Sequence, residues 1–131
     1  RSNEIAQTLD IGSTILEHAK VEAPVGMQGQ VMSVARGVGR DAALIQYDTQ
    51  RTQEAFGKEP RVHTIIQGHW RLSLYCGICK NELFNLKDDP GEMQNLWDDE
   101  VHTAVKNKLI QKLAELEINA VDRVPLPTAQ A

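Results

Sequence analysis

The stretch Asn81–Asp99, NELFNLKDDPGEMQNLWDD, decides the fold of this 131-residue chain. Leu83, Phe84 and Leu86 make a short apolar run of strand type, and Lys87, Asp88 and Asp89 stop it. Pro90-Gly91 follows as a turn pair, in which proline fixes φ and glycine admits positive φ. Glu92, Asn95, Asp98 and Asp99 then place oxygen acceptors ahead of a long helical pattern, where orphan backbone N–H groups and the positive end of the helix dipole favour them. The segment reads as strand, turn and helix start, with Leu96 and Trp97 plugging the junction as core residues.

Upstream, Val62, Thr64 and Ile66 alternate with Arg61, His63 and Ile65. Trp70, Leu72 and Leu74 alternate with His69, Arg71, Ser73 and Tyr75, and Gly68 marks the turn of a hairpin. A turn carrying Gly77 leads to the Leu83–Leu86 strand, and Ala42 to Tyr47 reads as a further strand. Downstream, Val105, Leu109, Leu113 and Leu116 fall on one helical stripe, joined by Ala104 and Ile110, with Lys106, Lys108 and Lys112 on the wet face. Near the start, Ile5, Leu9, Gly12, Ile15, Leu16 and Ala19 recur at helical intervals before Pro24 and Gly26. Gln28 to Ala35 reads as a loop with one or two helical turns, and Asp48 to Glu59 as an exposed connection.

The expected fold class is α+β: a small four-stranded antiparallel sheet covered by a long C-terminal helix and preceded by an N-terminal helix. It divides into a helix and loop over residues 1–40, sheet plus helix over 41–119, and an extended tail over 120–131 that holds Pro125 and Pro127.

Composition excludes some partners. Fourteen basic against 18 acidic side chains give a net charge of -4, with no basic cluster and few aromatics to stack on bases, so no nucleic acid is expected. No membrane partner is expected either, since no run approaches the roughly 18 to 20 apolar residues that span a bilayer. The start, Arg1-Ser2-Asn3-Glu4, has neither an initiator methionine nor a signal-type apolar stretch, and reads as a cut.

Few residues carry chemistry. Cys76-Gly77-Ile78-Cys79 is a C-x-x-C pair in a hairpin turn; it reads first as plain turn cysteines, then as a local disulfide, then as a metal pair needing two more ligands. His63 and His69 could complete such a site only if the sheet brought both to that turn. His63, His69 and Arg71 read mainly as exposed sheet positions, with a rim position on a substrate cleft as the alternative, since arginine can hold a sulfate or carboxylate through its forked donors. His18 and His102 read as surface histidines on helices. The tandem aspartates Asp88-Asp89 and Asp98-Asp99 read as solvated caps.

The chain resembles the C-terminal part of the sulfatases. Members of that family commonly carry E-L-Y-D-L, then D-P-x-E, then N-L, and this chain has Glu82-Leu83-Phe84-Asn85-Leu86, Asp89-Pro90-Gly91-Glu92 and Asn95-Leu96. An earlier family pattern, V-D-I-x-P-T-L-L-x-x-A-G followed by G-x-S-L, is similar to Leu9-Asp10-Ile11-Gly12-Ser13-Thr14-Ile15-Leu16-Glu17-His18-Ala19 and Gly26 to Met32. Here Ser13 stands for proline, Lys20 for the glycine that ends the helix, and Gln30-Val31 for arginine-serine or a similar pair. Arg61-Val62-His63-Thr64 and Trp70-Arg71-Leu72 look like the family's V-R-T and W-R-L strand pair. The resemblance covers nearly the whole chain in order.

That resemblance implies a C-terminal sulfatase subdomain whose intact enzyme hydrolyses a sulfate ester with a formylglycine nucleophile and a bound calcium. The formylglycine motif, C/S-x-P-S/A-R, does not occur here, because Cys76 leads into Gly77-Ile78-Cys79 and Cys79 into Lys80-Asn81-Glu82. The expectation is therefore no catalytic and no metal residue in this stretch, and a partner in a catalytic domain upstream of Arg1. Residues 1–40 would pack on that domain, and its absence would leave a patch through which the piece self-associates. A periplasmic or secreted location follows from the resemblance alone. Two alternatives stand: an independent interaction module, and the same region of a phosphonate or phosphate monoester hydrolase of the alkaline phosphatase superfamily.

Overall fold

The computed structural model describes residues 4–32, 39–49, 57, 59–78 and 80–120. The chain forms two compact units, residues 41–117 and residues 1–40 with 118–131. Among the described residues no helix is long and apolar enough to cross a membrane.

The larger unit is the predicted antiparallel sheet with its helix. Strands β1 (Ala42–Asp48), β2 (Arg61–Gln67), β3 (Trp70–Tyr75) and β4 (Glu82–Asn85) lie in chain order, each antiparallel to the next. Register places Leu44 beside Ile65, Ile65 beside Leu72 and Leu72 beside Leu83, so one apolar row crosses the whole sheet. Ile65, Leu72 and Leu83 are wholly buried with Leu109 and Leu113 of helix α2 (Thr103–Ala120). Each such side chain contributes roughly 1.5–3 kcal/mol by leaving water. The stripe read from sequence is confirmed at Val105, Leu109, Ile110, Leu113 and Leu116, whereas Ala104 is exposed. The hairpin turn is Gly68-His69, with Gly68 at φ 58°, where a Cβ would be strained.

The opposite sheet face carries a polar row. Thr64, Ser73 and Glu82 stand side by side next to Ile45, and the buried hydroxyls of Thr64 and Ser73 lie 2.8 Å apart, one donating to the other. Two readings are corrected here. Lys106 and Lys112 are not simply on the wet face: Lys106 donates to the Trp97 carbonyl at 2.6 Å over the Trp97 ring, and Lys112 lies 3.0 Å from Asp41. In the Pro90-Gly91 turn the positive φ falls on Glu92, at 54°, and not on the glycine, because Glu92 is tied on both sides, by its N–H to Asp89 and by its carboxylate to Arg71.

The smaller unit holds helix α1 (Leu9–Ala19). Its end is a left-handed cap: Lys20 sits at φ 56°, Lys20 N–H reaches Glu17 O and Val21 N–H reaches Leu16 O. This is the conformation for which glycine is preferred. The periodic apolar positions of α1 do not form a buried face within the chain. Leu9, Ile11 and Ile15 are 43%, 50% and 62% exposed, while Asp10 and Ser13 are buried. Gln28 to Met32 form no helical turn, and the rest of that predicted loop, most of the 48–59 connection and the tail beyond Ala120 lie outside the described residues.

Candidate functional site

Three polar constructions are built into these elements. The first is a clasp centred on Arg71 of β3, which points to the face away from α2. Its guanidinium pairs with Glu92 of the turn, reaches Glu82 of β4 and Ser73 at 3.3 Å, and lies 5.5 Å from the centre of the Phe84 ring. Glu82 also accepts from the Tyr75 hydroxyl at 3.1 Å, and burial together with the Glu82 charge pushes that phenol up from its ordinary pKa. Arg71 is thus a partnered, half-buried residue and not the exposed sheet position the sequence suggested, since two carboxylates already occupy its donors.

Downstream acids and amides are turn and cap acceptors. Asn85 accepts from Lys87 N–H at 3.1 Å and donates to Asp88 at 2.6 Å, and Asp89 accepts from Gln94 N–H at 2.8 Å. Asn95 accepts from both Leu83 N–H and Trp97 N–H at 3.0 Å and donates to Asn81 O, while Leu96 N–H reaches Leu83 O at 2.8 Å, so the Asn95-Leu96 pair covers the outer edge of β4. Asp99 caps the short 3₁₀ turn Glu100–His102 that opens α2, accepting from Val101 N–H; that bond, helped by His102, holds its carboxyl below the usual range.

The second construction is buried in the smaller unit. Asp10 accepts from Arg40 through a forked pair, from Gln30 N–H at 2.8 Å and from Gln7 N–H at 2.9 Å. The Arg40 bond, outweighing burial, pulls its pKa down to about 2. Thr14, one turn on, accepts from Met32 N–H at 2.9 Å. Gly29 passes so close to α1 that a Cβ there would collide with Leu9 O.

The third is a cavity of about 460 Å³ at the end of the sheet remote from Gly68, lined by Asp48, Arg61, His63, Leu74, Tyr75, Cys76, Asn81 and Glu117. Strand register puts His63 next to Leu74, and helix α2 brings Glu117 onto His63 Nδ1. His63 Nε2 lies 3.8 Å from the Asp48 carboxylate, so the imidazole sits between two acids. Cys76 is an exposed thiol at the edge of this cavity, and Cys79 lies outside the described residues. His69 is at the other end of β3, where its ring stacks 5.3 Å from Trp70, which in turn lies 5.5 Å from His102. The two histidines therefore do not meet at the C-x-x-C turn.

Among the described residues no group of three or more His, Cys, Asp or Glu could hold a metal. His18 is exposed, and His102 is half-buried against Asp99 at 3.1 Å. Sequence reasoning missed Asp10, Arg40, Asp48 and Glu117. Asp10 stands out in the sequence only as one letter of the family pattern, and Glu117 meets His63 from 54 positions away.

This sheet, clasp and edge cover are drawn from residues scattered through three motifs. Residues 1–119 match the family described as N-sulphoglucosamine sulphohydrolase, C-terminal, and the chain belongs to it. It is 26% identical over 131 residues to an N-acetylglucosamine-6-O-sulfatase of Bacteroides thetaiotaomicron, covering 95% of this chain and 23% of that protein. A solved structure described as in complex with its substrate, D-glucosamine-2-N,6-O-disulfate, is similar at 25% identity and a TM-score of 0.72 over 88% of this chain and 24% of that one. The fold is also shared with a phosphonate monoester hydrolase of Agrobacterium radiobacter, at 18% identity and a TM-score of 0.76, covering 95% of this chain and 27% of that enzyme. The chain thus spans about a quarter of the length of these relatives.

Proposed function

We propose that this chain is the tail piece of a sulfatase-type hydrolase that cleaves a sulfate ester, and that it supplies structure and pocket rim while a catalytic domain upstream supplies the chemistry. The observation that carries this is the inside-out helix α1: Ile11 and Ile15 are 50% and 62% exposed, and Val21 and Val25 beyond it are 54% and 88% exposed. Apolar side chains gathered on one segment, beside a buried Asp10, mark a surface made to be covered. Residues 1–40 serve as the contact to the catalytic domain, and 41–119 as the sheet and helix that the contact holds in place.

Formylglycine and calcium belong to that upstream domain in this reading. The residues here do not fit either group, since among the described residues no cluster of three or more His, Cys, Asp or Glu could hold a metal and C/S-x-P-S/A-R is absent from the sequence, and no reaction step is drawn through them. The substrate class is a sulfated amino sugar, the chemistry named for the relatives at 25% and 26% identity. A phosphonate ester is the second reading, favoured by the shared fold of the Agrobacterium enzyme. Location in the periplasm or outside the cell accompanies the sulfatase reading.

The test is an aryl-sulfate and an aryl-phosphonate assay with added calcium on the 131-residue chain and on the polypeptide extended upstream. Sulfate turnover by the extended protein and none by the chain is expected. Turnover by the purified chain alone, or a strong preference of the extended protein for phosphonate, contradicts it. The bare α1 face also predicts concentration-dependent self-association of the chain, which sedimentation detects; a monomer at all concentrations contradicts that.

A further inference from the structure

The cavity beside His63 has walls whose hydrogen-bonding groups are incompletely used. Among the described residues, the Arg61 guanidinium and the Asn81 side-chain N–H₂ have no partner, while Asn81 Oδ1 is already engaged by Tyr75 N–H at 3.0 Å. Among the described residues Asp48 has only the 3.8 Å contact with His63, and its side chain is 57% exposed. Glu117 spends one oxygen on His63 Nδ1 and keeps the other. Leu74 gives the cavity one apolar wall, and the volume of about 460 Å³ falls within the range of small-molecule sites.

This combination has a chemical meaning. Two carboxylates face one guanidinium, with His63 held between the acids, so a bare anion is disfavoured and donors such as ammonium or hydroxyl are favoured. Arg61 and Asn81 offer donors to hydroxyl or ring oxygens, and Leu74 suits the C–H face of a ring. A ligand needs several hydroxyls and an amine on a compact frame to satisfy all of these walls.

We propose that this cavity is a subsite for an amino sugar ring, with Asp48 and Glu117 accepting from its amine and hydroxyls and Arg61 and Asn81 donating to its oxygens. As a biological role this rests on the sulfatase reading above; the binding itself depends only on the cavity. The subsite holds a sugar and does no chemistry on it.

Titration of the 131-residue chain with glucosamine, and in parallel with sodium sulfate, tests this by NMR at the His63 ring and the Asn81 side-chain amide, with His18 as a remote control. The expected result is a saturable shift at His63 and Asn81 with glucosamine and none with sulfate. Asp48→Asn and Arg61→Gln, each checked for an unchanged melting temperature, should weaken glucosamine by roughly tenfold, the size of one charge-assisted hydrogen bond. No shift at His63 and Asn81, saturable shifts with sulfate alone, or undiminished binding in both variants overturns the proposal. Glucosamine binding in a chain whose upstream polypeptide proves inactive on sulfate esters leaves the subsite standing and removes the sulfatase reading, so the two fail separately.

Discussion

The two units of this chain bury opposite things. In residues 41–117 the burial follows the ordinary rule: a row of aliphatic side chains, Leu44, Ile65, Leu72 and Leu83, lies under Leu109 and Leu113. In residues 1–40 the buried side chains of α1 are Asp10 and Ser13, and the aliphatic ones point outward. The first unit is held by area removed from water. The second is held by a charge and its donors, and its apolar side chains stay exposed. A carboxylate this deeply buried is tolerated only because Arg40 and two backbone N–H groups replace the water it has lost.

That contrast can be broken most severely at Asp10. Asp10→Ala should cost about 3–5 kcal/mol, because Arg40 and two N–H groups lose their acceptor. Amide hydrogen exchange should place the loss at Gln7 and Gln30 while Ile65 and Leu72 keep their protection; uniform loss across both units would blur the distinction. The same carboxylate sets an acid limit. Its folded pKa of about 2 lies below the 3.8 of an unperturbed aspartate, so its stabilisation is fully present above pH 3.8 and is lost as pH falls through about 2. Integrated over that window the effect is roughly 2 kcal/mol, and a melting series in acid should show it in the wild-type chain and not in Asp10→Asn.

The larger unit answers to volume. Leu72→Ala should cost about 2–5 kcal/mol in denaturant unfolding, whereas Ile15→Ala in the same chain should change stability by less than about 0.5 kcal/mol and reduce self-association. Equal costs at the two sites would mean that the α1 face is already packed.

Smaller effects refine the picture. Arg71→Lys keeps the charge and loses the fork that reaches Glu92 and Glu82, and should cost roughly 1–2 kcal/mol, with thermal melting as the readout. A loss below a few tenths would show that the clasp is decorative. Lys20→Gly removes a Cβ from a residue at φ 56° and should stabilise by about 1 kcal/mol. Destabilisation there would mean that the lysine side chain makes a contact worth more than its backbone strain.

What the sequence made legible follows the range of each interaction. The β2–β3 hairpin could be read because alternation and Gly68 are local, and the α2 stripe because its spacing repeats over four turns. The Asp89-Pro90-Gly91-Glu92 turn is legible, yet its left-handed residue is Glu92 and not the glycine that local chemistry favours, since the ion pair that holds Glu92 there comes from Arg71 on a different strand. Periodicity in α1 announced a helix and could not say what would cover its apolar side. The cavity was invisible for the same reason: Asp48, His63 and Glu117 are brought together by strand register and by the reach of a helix, and no short pattern records either. The family motifs, by contrast, mark positions where one side chain serves two elements at once, as Asn95 does for β4 and Arg71 for the turn.

The central claim is that this stretch is shaped to lean on a larger body that holds the reactive groups. Reading the coding sequence upstream of Arg1 tests it most directly. A continuous reading frame of several hundred residues containing C/S-x-P-S/A-R is the predicted result; a start codon next to Arg1 behind an in-frame stop would contradict it.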